Sequence, residues 1–469
     1  MKRLISAFVM MVMITSAFSQ KNAFEIKVKL NNYKDSVVYL GNYYGSGQYI
    51  EDTAFRSKGN EFVFKDKEVK PGGIYLIITQ EKQYFEILLD KEQQFSIEAT
   101  APDFVGSAKF KNSKDNELFY EFTRYNRDKY MQSETLGKRY NEIKDTNKDS
   151  ASILQKQIAA LGSDIGDYKI KFMKDHPNHL MSYVFKASKD VDVPEAPLNS
   201  KGVKDSLFPY FYYKAHYFDN MNFADDRILR TPVYHGRLEN FFEKVVVQHP
   251  DSINIECDKV IEKSKASKEL FKFTLWFLTN KYEKSQIMGF DAVFVHLVEK
   301  YYMTNEAYWV TPTVLESISK RAMQLKPLLI GKVAPELILP DTAGRYISSH
   351  NVKAKYTFIL FWDTDCGHCK VEVPKIKKFY DENKKKYGIE VYSIDTDADL
   401  DRWKNYIREN NHDWINLTGT KANIDYHLVY DIYSTPVLFI LDKDKKIIAR
   451  RIAAEQLEDF MRRYDTNNK

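Results

Sequence analysis

Residues 356–370 read Tyr-Thr-Phe-Ile-Leu-Phe-Trp-Asp-Thr-Asp-Cys-Gly-His-Cys-Lys, an unbroken apolar run of strand length that passes through a short polar turn into a pair of cysteines. Such a run, bounded by turn residues, fits a strand buried on both faces. A lysine-rich pattern of helical period follows to about Lys386, so strand, turn, cysteine pair and helix come in direct succession. Downstream, apolar runs at 389–394 and 437–441 alternate with a helical stretch at 399–410, and Ser434-Thr435-Pro436 stands just before the last run. That alternation predicts a sheet with helices on its faces.

Of the three cysteines, Cys366 and Cys369 form this pair and Cys257 stands alone. That is too few for a disulfide scaffold or for a zinc site closed by cysteine alone. The reactive form of cysteine is the thiolate, and a cysteine at the first turn of a helix faces unpaired N–H groups and the positive end of the helix dipole. The strand-to-helix order puts Cys366 in that seat and predicts a pKa below the free-cysteine value of about 8.5. Cys369, one turn deeper, is expected to be shielded. The roles follow: Cys366 attacks a substrate disulfide and Cys369 resolves the mixed disulfide. His368, protonated or donating a hydrogen bond, would favour the Cys366 thiolate, whereas the charge of Asp365 would oppose it. These opposing pushes leave the direction of electron flow open. Glu372 shares a helix face with Cys369, where two readings stand: it takes the proton that Cys369 must lose, or it is a solvated helix carboxylate. Trp362 reads as a packing residue beside the site. No metal and no cofactor beyond a reversible Cys366–Cys369 disulfide is expected.

The Cys-Gly-His-Cys motif after a strand ending in Phe361-Trp362, the later Thr435-Pro436, and Lys370, Glu372 and Pro374 after the second cysteine together resemble a thioredoxin fold of the TlpA/ResA type. The lead-in 333–337, with Asp341-Thr342-Ala343-Gly344, is similar to the N-terminal hairpin those envelope proteins add, so the resemblance spans about residues 331–464. It implies that Pro436 is a cis-proline opposite the cysteine pair, that the backbone of Thr435 pairs with an extended substrate segment, that a glutamate at position 372 serves the thiol chemistry, and that Pro374 kinks the helix. It also implies reduction of protein disulfides in the cell envelope, including the supply of apocytochrome c thiols, with a separate envelope redox partner to re-reduce the pair. Many relatives carry an aromatic residue before the first cysteine; here it is Asp365. The whole chain is similar to multidomain envelope members in which a β domain and a helical domain precede the thioredoxin domain.

The rest of the 469 residues supports a multidomain α+β chain. At the N-terminus Lys2 and Arg3 precede an apolar stretch 4–14 and an Ala17-Phe18-Ser19 site, the layout of a signal peptide cleaved near Ser19. The stretch is shorter than the roughly 20 residues that span a bilayer, so an exported product without a membrane span in the mature chain is expected. Lys and Arg (70) exceed Asp and Glu (65) by only +5, which gives no reason to expect nucleic acid as a partner. Short runs at 24–30, 36–40, 61–64, 74–78, 84–89 and 94–99, separated by Gly45-Ser46-Gly47 and Pro71-Gly72-Gly73, predict an N-terminal antiparallel β domain. From about 116 to 325 the period shifts toward 3.6, as in Leu270, Phe273, Thr274, Phe277 and in Phe290, Phe294, Leu297, Val298, Tyr301, predicting a central helical domain. The expected division is therefore 1–19, 20–115, 116–325 and a thioredoxin-like α/β domain at 326–469. Three features of the helical zone take structural readings. The aromatic-rich segment 208–223 reads as packing, Cys257 as a buried small hydrophobe, and His176 with His179 as a loop at helix ends.

Other readings of the pair are poorer. A metal site lacks further cysteine ligands nearby, and a peroxidase of related fold uses one peroxidatic cysteine rather than a close pair. An alternative from another class is a binding protein. In it the two N-terminal domains recognise a protein partner or a glycan, and the thioredoxin domain is mainly structural.

Overall fold

In the computed structural model, residues 23–467 are described except 199, 397, 398, 421, 423 and 424. The expected signal segment lies outside them. The chain forms two compact units, Met1–Val245 and Val246–Lys469.

In the first unit, strands β1 (Phe24–Asn31), β4 (Phe62–Asp66), β7 (Gln94–Thr100) and β8 (Lys109–Lys111) make one sheet in the order β4-β1-β7-β8. Strands β2 (Val37–Tyr44), β3 (Gly47–Phe55), β5 (Gly73–Thr79) and β6 (Tyr84–Leu89) make the other, in the order β3-β2-β5-β6. Pairings are antiparallel except β1 with β7, which run parallel. Phe24, Ile26, Val28 and Leu30 alternate into the core, as a strand with one buried face requires. Helices α1 (Phe104–Ser107), α2 (Lys114–Ile143), α3 (Lys148–Asp175), α4 (Leu180–Ser188), α5 (Phe208–His216) and α6 (Pro232–Asn240) follow. Ser113 caps α2 by accepting from the Asn116 N–H. His176 closes α3 and His179 opens α4, where its Nδ1 accepts from the Met181 N–H at 3.1 Å, so both histidines stand at helix ends. The aromatic segment divides: Tyr217, Phe218 and Phe223 are buried, while α5 buries none of its residues.

The second unit begins with α7 (Pro250–Ser264), α8 (Lys268–Glu283), α9 (Asp291–Leu297) and α10 (Pro312–Leu325). Cys257 is fully buried in α7. A two-stranded hairpin, β9 (Ile338–Pro340) with β10 (Tyr346–Ser348), leads into the α/β part. This comprises β11 (Tyr356–Trp362), α11 (Gly367–Tyr387), β12 (Ile389–Asp395), α12 (Leu400–Glu409), β13 (Ile415–Thr418), α13 (Tyr426–Val429), β14 (Val437–Leu441), β15 (Ile447–Arg450) and α14 (Leu457–Asn467). The sheet order is β13-β12-β11-β14-β15; β11 runs parallel to β12 and antiparallel to β14. Every residue of β11 is buried because both sheet faces are covered. Phe358, Leu360 and Trp362 pack on one face with Cys369 and Trp403, and Ile359 and Phe361 on the other with Tyr430 and Phe439. The expected three-part class, with antiparallel β, helical and C-terminal α/β parts, is the one observed. Among the described residues no helix is long and apolar enough to cross a membrane.

Candidate functional site

The central strand ends at Trp362, and four residues later the chain turns into α11 with Cys366 as its N-cap. Cys366 has extended dihedrals, φ −71° and ψ 120°, and its Sγ accepts from the Cys369 N–H at 3.3 Å. A thiol sulfur here does what a serine or aspartate oxygen does at an ordinary N-cap, so the first-turn N–H groups that stabilise negative charge point at the sulfur. At the other end, Gly388 takes φ 69° and returns its N–H to the Lys384 carbonyl, with Lys384, Lys385 and Lys386 in the last turn. The dipole is thus complemented at both ends.

The cysteines differ in exposure and in acidity. Cys366 is half-buried and Cys369 is buried at 1% exposure; both are free thiols. Burial works against the thiolate at Cys366. The Cys369 thiol, the Thr435 hydroxyl and the N–H groups of Cys369 and His368 outweigh it and hold the pKa below the ordinary cysteine value. At Cys369 burial acts first and the neighbouring Cys366 sulfur adds to it, pushing the thiol up to about 12. The surroundings therefore favour the thiolate at the outer sulfur and disfavour it at the inner one.

The Thr435–Pro436 peptide is cis and immediately precedes β14. This brings the Thr435 carbonyl within 3.3 Å of Cys366 Sγ, where it accepts from the thiol. His368 is exposed in the first turn and reaches Cys366 through its backbone N–H rather than its ring. The Asp365 carboxylate is exposed and paired with Lys370 at 3.3 Å and, more loosely, Arg402 at 3.9 Å. Its charge is thus partly offset before it bears on the sulfur. The Glu372 carboxylate accepts from Lys375 Nζ at 2.7 Å and from the Ala454 N–H at 3.3 Å. Trp362 is buried, donates from Nε1 to Ser393 Oγ at 2.7 Å, and meets Tyr406 at a tilt and His412 edge to face. Pro374 lies inside α11.

Two residues near the site carried no signal in the sequence. Tyr406 of α12 has its phenol pKa raised by burial and then by the charge of Cys369, which places it beside the inner sulfur. Asp395, wholly buried at the end of β12, stands opposite Trp362 in the strand register. Only the folded sheet brings Asp395 to the strand end before the pair, and only the packing of α12 brings Tyr406 to the inner sulfur. Beside Cys366 an open cleft of ≈ 510 Å³ is lined by Thr364, Asp365, Lys370, Arg402, Asn405 and Tyr406 among others. Among the described residues no group of three or more His, Cys, Asp and Glu is arranged to hold a metal ion.

Residues 354–447 match a family described as thioredoxin-like. Residues 24–119 and 147–326 match two families described only as domains of unknown function, DUF4369 and DUF5106. The thiol-disulfide oxidoreductase ResA of Bacillus cereus is 29% identical over 137 residues, covering 29% of this chain and 78% of that protein. The thiol:disulfide interchange protein DsbE of Pseudomonas aeruginosa is 28% identical over 122 residues, covering 26% of this chain and 64% of that protein. A crystallised domain of a possible thiol-disulfide isomerase from Cytophaga hutchinsonii is 44% identical, with 30% of this chain and 96% of that chain covered and a TM-score of 0.29.

Proposed function

We infer that this chain, whose thioredoxin-like domain has thiol-disulfide oxidoreductases as its relatives, is an enzyme of that class acting on protein disulfides through Cys366 and Cys369. The observation that carries the reading is the opposed acidity of two sulfurs one helical turn apart, the outer one capping a helix and the inner one buried. The Cys366 thiolate attacks one sulfur of a substrate disulfide; the substrate S–S bond breaks and one substrate thiolate leaves. Cys369 then loses its proton and attacks Cys366 Sγ, so a Cys366–Cys369 disulfide forms and the second substrate thiolate departs. Two electrons pass from the pair to the substrate, and a thiol reductant must return them before the next cycle.

The other residues take supporting parts. Thr435 presents its backbone to an extended substrate segment, with Pro436 fixing the loop that carries it. His368 and Asp365 tune the outer sulfur, and Trp362 holds the strand end in place. Glu372 takes the Cys369 proton during resolution; what supports this is its place one turn beyond Cys369, with Lys375 holding the carboxylate. Electron transfer itself is assigned to the segment 326–469. The basic start and apolar stretch at the N-terminus support export, and hence action in the periplasm or cell envelope. Reduction rather than oxidation is the direction we favour, with apocytochrome c thiols among the candidate products. The test is trapping in whole envelopes. Cys369→Ser should accumulate mixed disulfides with substrate proteins and Cys366→Ser should not; equal trapping by the two variants, or none, would overturn the reading.

A further inference from the structure

We propose that Arg321, on helix α10 and outside the thioredoxin-like segment 354–447, is a positioning residue for the substrate-pairing loop at Thr435, acting through Asp431. The inference rests on the exchange reaction proposed above. The Arg321 guanidinium takes the Asp431 carboxylate with both prongs, Nη1 to Oδ1 and Nη2 to Oδ2, the latter at 3.1 Å. Arg451, just past β15, donates from Nη2 to the Asp431 carbonyl at 2.9 Å and to Oδ2 at 3.0 Å. Asp431 is 1% exposed and takes φ 56°, a left-handed conformation that residues with a side chain adopt seldom and hold through such contacts.

Thr435 lies four positions further along the same loop. Ile432 is also fixed, its N–H donating to the His427 carbonyl at 3.0 Å, whereas Tyr433 and Ser434 are exposed. The loop is therefore anchored at its base and open at its tip, and the anchor sets where the Thr435 carbonyl stands, 3.3 Å from Cys366 Sγ. A forked guanidinium–carboxylate pair fixes orientation as well as distance, which a point charge does not. Arg321 belongs to the 147–326 match of unknown function, so part of that segment reaches the support of the site.

The experiment compares two substrates: insulin, whose backbone can pair with Thr435, and hydroxyethyl disulfide, which has none to offer. Arg321→Ala should lower kcat/KM for insulin roughly tenfold, mainly through KM, and lower the rate with hydroxyethyl disulfide by a much smaller factor, since that substrate feels the displaced loop only through the contact of Thr435 with Cys366. Unchanged insulin kinetics, or a parallel fall on both substrates, would overturn the proposal. Asp465→Ala controls for general loosening, since it removes the acceptor of the Tyr356 hydroxyl, bonded at 3.0 Å at the start of β11 in the same unit. The same insulin-selective loss in that control would also overturn the proposal. Should Arg321→Ala fail to fold, Arg321→Lys, which keeps the charge without the fork, carries the same comparison. Amide exchange at 432–435 needs no activity: it should accelerate in either Arg321 variant, and an unchanged rate counts against the clamp. A wild-type enzyme without exchange activity would instead overturn the proposed function, and the amide measurement would still decide the role of Arg321.

Discussion

Cys366 and Cys369 sit three positions apart in one helix, yet their surroundings drive them in opposite directions, the outer sulfur toward the thiolate and the inner one away from it. Resolution therefore depends on a proton acceptor for Cys369. If Glu372 is that acceptor, Glu372→Gln should leave the first attack unchanged and slow release of the trapped substrate about tenfold or more, read by single-turnover quench. Equal slowing of both steps would contradict the assignment. A second residue-scale consequence concerns His412, which burial, aided by the charge of Lys377 and opposed by Asp413 and Asp381, lowers to about 4. The unfolded chain takes up that proton near the ordinary value of about 6.5 while the folded chain does not, so stability is lost as pH falls from about 6.5 toward 4. The loss is about 3 kcal/mol at most, and His412→Phe should flatten the acid limb of urea unfolding over that window. The cysteine pair and the Thr435-Pro436 step were readable because each is contiguous in the chain. The partners of Glu372 were not, since Ala454 lies 82 positions away and only the packed fold brings it to the carboxylate.

At the scale of elements, β11 and α11 place the site, and each has a test. Leu360 is fully buried at the centre of the sheet, so Leu360→Ala should cost about 2 to 5 kcal/mol in urea unfolding. Gly388→Ala should cost about 1 kcal/mol or more, because φ is 69° and the new Cβ would meet the Lys355 Cβ at 3.1 Å. A variant as stable as the wild type in either case would contradict the account of that element. Strands with an alternating or continuous apolar pattern were legible, including β1, β6, β11 and β14. Strand β3 was not: it lies at a sheet edge and is largely exposed, so solvent rather than a core faces most of its side chains and no alternation marks it. The apolar series through Tyr301 marked a helix correctly but not the π-helical turn at Val298–Tyr302 that follows α9, because a period near 3.6 does not register one widened turn.

At the scale of the molecule, the sequence divides at 115 and 325, where hydrophobic period changes, while compactness divides the fold between Val245 and Val246. Period follows local structure, whereas compactness follows which elements share contacts, so the two divisions need not coincide. Within the second unit a buried ion pair joins Asp291 at the start of α9 to Arg450 at the end of β15, the side chains 12% and 10% exposed. Burial raises the Asp291 carboxyl and lowers the Arg450 guanidinium, the pattern of charges taken out of water. Asp291→Ala should therefore destabilise the unit by about 3 kcal/mol, and Asp291→Leu with Arg450→Met should recover most of that loss. A double variant no more stable than the single one would contradict this. Disulfide exchange by this chain turns on Cys366 being the activated sulfur. The direct measurement is the rate of iodoacetamide alkylation of the reduced protein across pH, with the modified cysteine identified by mass. The account predicts alkylation at Cys366 with a midpoint below the free-cysteine value of about 8.5 and a slow reaction at Cys369. A midpoint at or above that value, or preferential modification of Cys369, would contradict it.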